Sequence, residues 1–214
     1  MSWIARQGAL TQSEMENNAN IVIAYYRSLG IADETIAGIL GNMENESTIN
    51  PLRVESGQPV STRGFGLVQW TPQSRLEDHC QTLGLSPYTD GDVQLQVIIP
   101  EIRNQSGVAE WYTSSAYIRP YQRSGATNDM IGITGNQFLN NTMGWTPEKL
   151  AIMFMVGYER PSYDPSTNHY QRRMTSARNW FIYMGGNPPI PIKRPKGKFN
   201  FILFNNRRKR NLYE

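Results

Sequence analysis

From Asp33 to Glu46 the apolar residues Ile36, Ile39, Leu40 and Met43 recur at the spacing of one helix face, and Asn50-Pro51, just beyond Glu46, forbids the helix from continuing. That pairing fixes where the chain must leave a helix and begin an irregular segment. Asp33 is placed to cap the start of this helix. Upstream, Ser13-x-x-Glu16 has the form of a capping box, with Met15, Ala19, Val22, Tyr26 and Leu29 along the face that follows and Gly30 as the stop. The turn between these two helices is very short, so they are expected to pack as neighbours. Residues 52–70 mix Val, Thr, Ser, Gly and Pro without a helical period and read as a small β-hairpin lobe.

Beyond the lobe, Thr71-Pro72 has the form of an N-cap followed by a first-turn proline, with Leu76, Cys80 and Leu83 as the apolar row and Gly84 as the stop. Asp92 is placed to cap a segment carrying Leu95, Ile98, Ile99 and Ile102, which Pro100 either kinks or splits. Thr146-Pro147-Glu148 repeats the cap-and-proline start, and Leu150, Met153, Phe154 and Gly157 give the buried face of a helix ending at Tyr158-Glu159-Arg160-Pro161. A last helix from about Ser166 to Met184 carries Tyr170, Met174, Ala177, Phe181 and Met184. The expected fold class is thus mostly α, of α+β type. Residues 104–136 read as a long loop whose Trp111, Tyr112, Tyr117 and Tyr121 either face a ligand or tuck onto the core.

The helical phase carries the chemistry. At about 100° per residue, Glu46 falls near the Ile39 side of the buried stripe, whereas Glu44 falls on the opposite flank. Glu46 is therefore expected to border both core and water, and partial desolvation raises a carboxylate's pKa towards the range a general acid needs. After the Asn50-Pro51 stop, the Gly64-Phe65-Gly66 turn gives a backbone that a ligand can approach closely and leads into Gln69 and Trp70. An acid at a helix end, a flexible lobe after it, and polar and aromatic side chains opposite are the equipment of a carbohydrate-cleaving cleft.

The segments AGILGNMENESTINP, GFGLVQWTP and FMVGYERP, in that order, resemble the phage tail lysozyme family, as found in tail-knob proteins of small phages of Gram-positive bacteria. Within them, Glu46-Ser47, Asn50-Pro51 and Gly64-x-Gly66-Leu67-x-Gln69 resemble the signature shared by goose-type lysozymes and lytic transglycosylases. The resemblance spans roughly residues 11–184 and implies a lysozyme-like helical fold that cleaves peptidoglycan glycan strands. By it Glu46 takes the acid position, Gln69 the sugar-contacting position and Tyr158 the position of a cleft-lining tyrosine. Phe65 and Trp70 are the aromatic candidates for substrate contact. Glu55, in the lobe, is the acidic residue available between Glu46 and Glu77 as a second catalytic carboxylate. With it the enzyme would be a muramidase. Without it the same acid serves a lytic transglycosylase, in which the substrate's own hydroxyl closes an anhydro ring. A lysozyme-like tail component that no longer cleaves is a third reading. Glu159, in the YERP corner, is read as structural more than catalytic.

One Cys and two His in 214 residues exclude a disulfide framework and a zinc site, and neither metal nor cofactor is expected. Adjacent helical residues point apart, so His79 reads as a surface residue beside the core thiol of Cys80. The opening MSWIARQGAL has no export signal, and no window reaches the roughly 18 apolar residues of a membrane span. An enzyme so built would reach a wall by lysis or by assembly into a virion tail. Eight of the 21 Lys and Arg residues and one of the 18 acidic ones lie beyond Gly186, leaving 13 basic against 17 acidic residues before it. The expected division is a catalytic domain over residues 1–186 and a basic, Pro-rich tail over 187–214. KFNFILF and RRKR in the tail are either disordered or a docking segment for other tail proteins, with nucleic acid the least favoured partner.

Overall fold

The computed structural model describes residues 2–59, 61–166 and 169–187, and the tail segments KFNFILF and RRKR lie outside the described residues. Among the described residues eight α-helices run in the order α1 (Gln12–Ser28), α2 (Asp33–Ser47), α3 (Gln73–Leu83), α4 (Gly91–Ile102), α5 (Ser115–Ile118), α6 (Gly135–Leu139), α7 (Pro147–Phe154) and α8 (Tyr170–Tyr183). The molecule is mostly helical, consistent with a lysozyme-like architecture.

Helix α2 is the hub, and its composition explains why. Ile36, Ile39, Leu40 and Met43 are completely buried, as the stripe required. The opposite side of α2 is buried too, because glycines there let two further helices come close. A Cβ on Gly41 would sit 2.6 Å from the backbone nitrogen of Ala177 in α8, and one on Gly38 would sit 3.0 Å from that of Ala151 in α7. Asn42, also fully buried, fastens the three helices together. Its Nδ2 donates to the carbonyls of Gly38 at 2.8 Å and Ala151 at 3.0 Å, and its Oδ1 accepts from Arg173 of α8 at 2.7 Å.

Several helix starts lie a few residues from their expected places, each with a local cause. At α1 the capping box is Thr11 with Glu14, because Arg6 holds the Glu14 carboxylate where it can also accept from the Thr11 amide at 2.8 Å. Leu29, expected on the buried face, is 45% exposed beyond the end of that helix. Ala32 is the N-cap of α2, since the Asp33 carboxylate is taken by Arg27. Pro72 rather than Thr71 precedes α3, and Asp90 rather than Asp92 caps α4, accepting from the Asp92 amide at 2.7 Å. Pro100 sits in the last turn of α4 and neither splits it nor ends it. Thr146 and Pro147 open α7 as expected, whereas α8 begins at Tyr170 rather than near Ser166.

The lobe is not a hairpin among the described residues. It contains two isolated bridges, Val54 with Phe65 and Phe65 with Trp70. Amides of Glu55 and Gly66 bond across to Gly64 and Arg53, and the ladder stops there because the pairing of Phe65 then turns to Trp70 within the same short segment. Residues 104–136 are likewise not an open loop, for they hold α5 and 3₁₀ turns at Arg119–Ser124 and Asn128–Met130. Of their aromatics, Trp111 and Tyr121 are buried and serve packing, whereas Tyr117 is 40% exposed. Trp111 lies 4.7 Å from the ring of Phe138, and the Tyr121 hydroxyl donates to the Pro161 carbonyl at 2.6 Å.

Candidate active site

The ES-x-x-NP segment is a junction that can be read atom by atom. Helix α2 ends with Thr48 and Ile49 in the left-handed region, at φ 59° and 55°. Ser47 Oγ donates to the Leu67 carbonyl at 2.8 Å, fastening the helix end to the lobe. Asn50 Nδ2 donates to the carbonyls of Arg6 and Gly8, fastening the same corner to the N-terminal segment. From the other side, buried Gln94 of α4 accepts from the Leu67 amide at 2.9 Å and donates to the carbonyls of Pro51 and Tyr88. Gly66, at φ 79°, leaves room for that glutamine, because a Cβ there would lie 2.6 Å from Gln94 Oε1. The glycine read as an approach path for a ligand thus admits Gln94.

These ties hold open a cleft of about 490 Å³ lined by Glu46, Arg53, Glu55, Ser56, Val68, Gln69, Thr71, Glu159, Arg160 and Pro161. Glu46 comes from the end of α2, Glu55 and Gln69 from the lobe, and Glu159 from a π-helical turn, Met155–Glu159, that follows α7. The structure therefore brings Glu46, Glu55 and Gln69 together. The Glu46 side chain is 22% exposed, at the border of core and water, and ion-pairs with Arg173 of α8. Glu55 accepts from the Gly64 amide at 2.9 Å. Gln69, at φ 52°, donates to the carbonyls of Arg53 at 3.1 Å and Gly66 at 3.0 Å, so its amide also holds the lobe together. Glu44 is elsewhere, accepting from Trp180 Nε1 at 2.7 Å on the flank towards α8.

The three aromatic candidates do not line this cleft. Phe65 is 5% exposed and meets Tyr88 edge-on at 5.5 Å. Trp70 and Tyr158, equally buried, border a smaller neighbouring pocket of about 90 Å³ and both donate to Glu101 of α4, Trp70 at 2.9 Å. Burial pushes the Glu101 carboxyl up, opposed by hydrogen bonds from His79, Tyr158 and Trp70. His79 is thus not a surface residue, for its Nδ1 lies 2.6 Å from Glu101 Oε1. Cys80 is a core thiol raised by burial to about 11, far from a thiolate at neutral pH.

The polar group that sequence reasoning missed is Arg173, which ion-pairs with Glu159 as well as Glu46. Its signal was present, since position 173 lies between Tyr170 and Ala177 on the apolar side of α8. Glu159 is pushed up to about 8, first by burial and then by the Glu46 charge, with Arg173 opposing.

Glu46, Glu55 and Glu159 reach this polar cleft from three separate elements of a helical scaffold, and carboxylates facing one cleft are the groups that glycosidic bond cleavage uses. The model of the phage tail lysozyme family matches residues 17–184, and the chain belongs to that family. It is also 29% identical over 192 residues to morphogenesis protein 1 of Bacillus phage B103, covering 88% of this chain but 45% of that protein. The chain therefore spans under half the length of that curated relative. Among the described residues no helix is long and apolar enough to cross a membrane.

Proposed function

We propose that the protein is a muramidase of a phage tail, cleaving the β-1,4 bond between N-acetylmuramic acid and N-acetylglucosamine in the host wall during infection. The observation that carries this reading is that Glu46 and Glu55, from α2 and from the lobe, line one cleft with Gln69. Glu46 protonates the leaving glycosidic oxygen as positive charge develops on the sugar, and Glu55 activates water or stabilises the oxocarbenium-like centre. Gln69 offers its side-chain oxygen to the sugar while its nitrogen anchors the lobe. Membership of the tail lysozyme family supports the substrate class, and the likeness to a phage morphogenesis protein supports a place in the virion. The tail beyond residue 187 is assigned to docking with other tail proteins.

Mass analysis of muropeptides released from purified wall tests the reaction. Reducing ends are expected. Anhydro ends would replace the hydrolase with a lytic transglycosylase that uses the same acid and has no need of Glu55. Release of nothing would leave a structural tail component.

A further inference from the structure

Two carboxylates share one guanidinium at the inner wall of the cleft. Arg173 reaches Glu46 through Nη2 and Glu159 through Nη1, and the side chains of Arg173 and Glu159 are each 4% exposed. Two negative charges against one positive leave an excess charge in a poorly hydrated place. Glu159 Oε1 sharpens the problem, because it is buried without a hydrogen-bond partner. A fully ionised carboxylate left that way carries its desolvation cost uncompensated. One proton on the trio removes the excess.

Among the described residues no second cation is paired with either carboxylate. Across the cleft the lobe contributes Arg53 and Glu55, of opposite sign. Next to Glu159, Arg160 is occupied by the Glu110 carboxylate at 2.5 Å, which Arg75 of α3 also approaches at 3.6 Å. On α2, Glu44 is turned onto Trp180, and on the π turn the Tyr158 phenol is turned onto Glu101. On α8, Arg172 lies with Glu44 along a separate groove, and His169 lies at the helix start.

We infer that Glu46, Glu159 and Arg173 form one ionisable unit holding a single proton across neutral pH, and that Glu159 is a positioning residue that keeps Glu46 able to carry the proton it donates. The inference rests on Glu46 being the acid of the reaction proposed above. If Arg173 faced Glu46 alone, the ion pair would hold Glu46 ionised and unable to donate. Glu159 draws part of that positive charge to itself. When the glycosidic C–O bond breaks, the proton passes from Glu46 to the departing oxygen, and the unit is left as two carboxylates and a guanidinium until water returns a proton. The upward displacement of the buried Glu159 carboxyl is in keeping with this. Because the two sites are coupled, the proton belongs to the pair rather than to either residue.

Glu159→Gln in the full chain keeps an oxygen for Arg173 and deletes the charge. The pH profile of kcat/KM on purified wall is expected to lose its alkaline limb about one unit or more lower than in the parent. A fall in kcat with KM within about twofold should accompany it. A carboxyl-carbon NMR titration of the unmutated, glutamate-labelled protein provides the second readout and needs no variant to fold. A glutamate resonance that is assigned to Glu159 and titrates between about pH 6 and 8 is expected. An unshifted alkaline limb in folded Glu159→Gln, or full ionisation of both carboxyls below that range, would overturn the inference. If the parent protein cleaves no wall at any pH, the assignment of Glu46 as acid fails, and the titration still decides how many protons the unit holds.

Discussion

Glu46 and Glu44 stand two residues apart on one helix and have different neighbours, which shows how far helical phase alone reaches. Their separation onto opposite flanks was legible, because about 100° per residue is a property of any helix. What each then meets was not. Arg173 lies 127 residues beyond Glu46, and a buried arginine on an apolar helix face is unusual enough to be passed over in sequence. His79 was misjudged for the same reason, since Glu101 is buried by tertiary contacts that no local pattern encodes. Gln69 was read as a ligand contact only. Because its amide also bridges Arg53 and Gly66, Gln69→Ala is expected to weaken binding of a chitin-type oligosaccharide by about 1 kcal/mol or more, by calorimetric titration, and to lower the melting temperature as well. Glu159 gives a pH signature of its own. Its folded-state pKa is raised to about 8 from an ordinary 4.5, so the native state binds a proton that the unfolded chain has released. Its contribution to stability is present in full below about pH 4.5 and is lost as pH rises towards 8. Melting curves of Glu159→Gln should fall less steeply with pH across that window than those of the parent.

The elements divide by how locally they are specified. The stripes of α1, α2, α3, α7 and α8 were readable because burial follows a 3.6-residue period. Starts slipped where two nearby side chains could cap and a tertiary partner chose between them, as Arg6 does at Glu14. The lobe was misjudged as a hairpin because Val, Thr and Gly suit a strand and a turn-rich loop alike, and Gln94, which shapes the turn, arrives from α4. The small residues of α2 were present in the sequence without revealing that both α7 and α8 pack on them. Gly41→Ala would place a Cβ against the α8 backbone rather than against a flexible side chain. A loss of about 1–3 kcal/mol is expected from denaturant unfolding. Because the displaced helix carries Arg173, wall cleavage should fall more than the stability loss alone would cause.

At the scale of the whole molecule, the core assembled from α1 to α8 includes Trp180 and Phe181, and Gly186 packs against it. A Cβ on Gly186 would lie 2.5 Å from the Phe181 ring. A chain ending at Gly186 is therefore expected to remain folded and to cleave soluble glycan oligomers at the parent rate, losing only particle assembly or wall attachment. Unfolding of that truncated chain would show that the basic tail completes the domain. The proposed chemistry depends on a division of labour along α2, where a cleft carboxylate and a carboxylate tied to Trp180 are two residues apart. Clearing of purified peptidoglycan by the parent, Glu46→Gln and Glu44→Gln, each checked for an unchanged melting curve, measures it directly. Glu46→Gln should lose about a hundredfold or more of the rate while Glu44→Gln keeps most of it. The reverse pattern, with Glu46→Gln active and Glu44→Gln inert, would contradict the assignment of the acid and of the cleft around it.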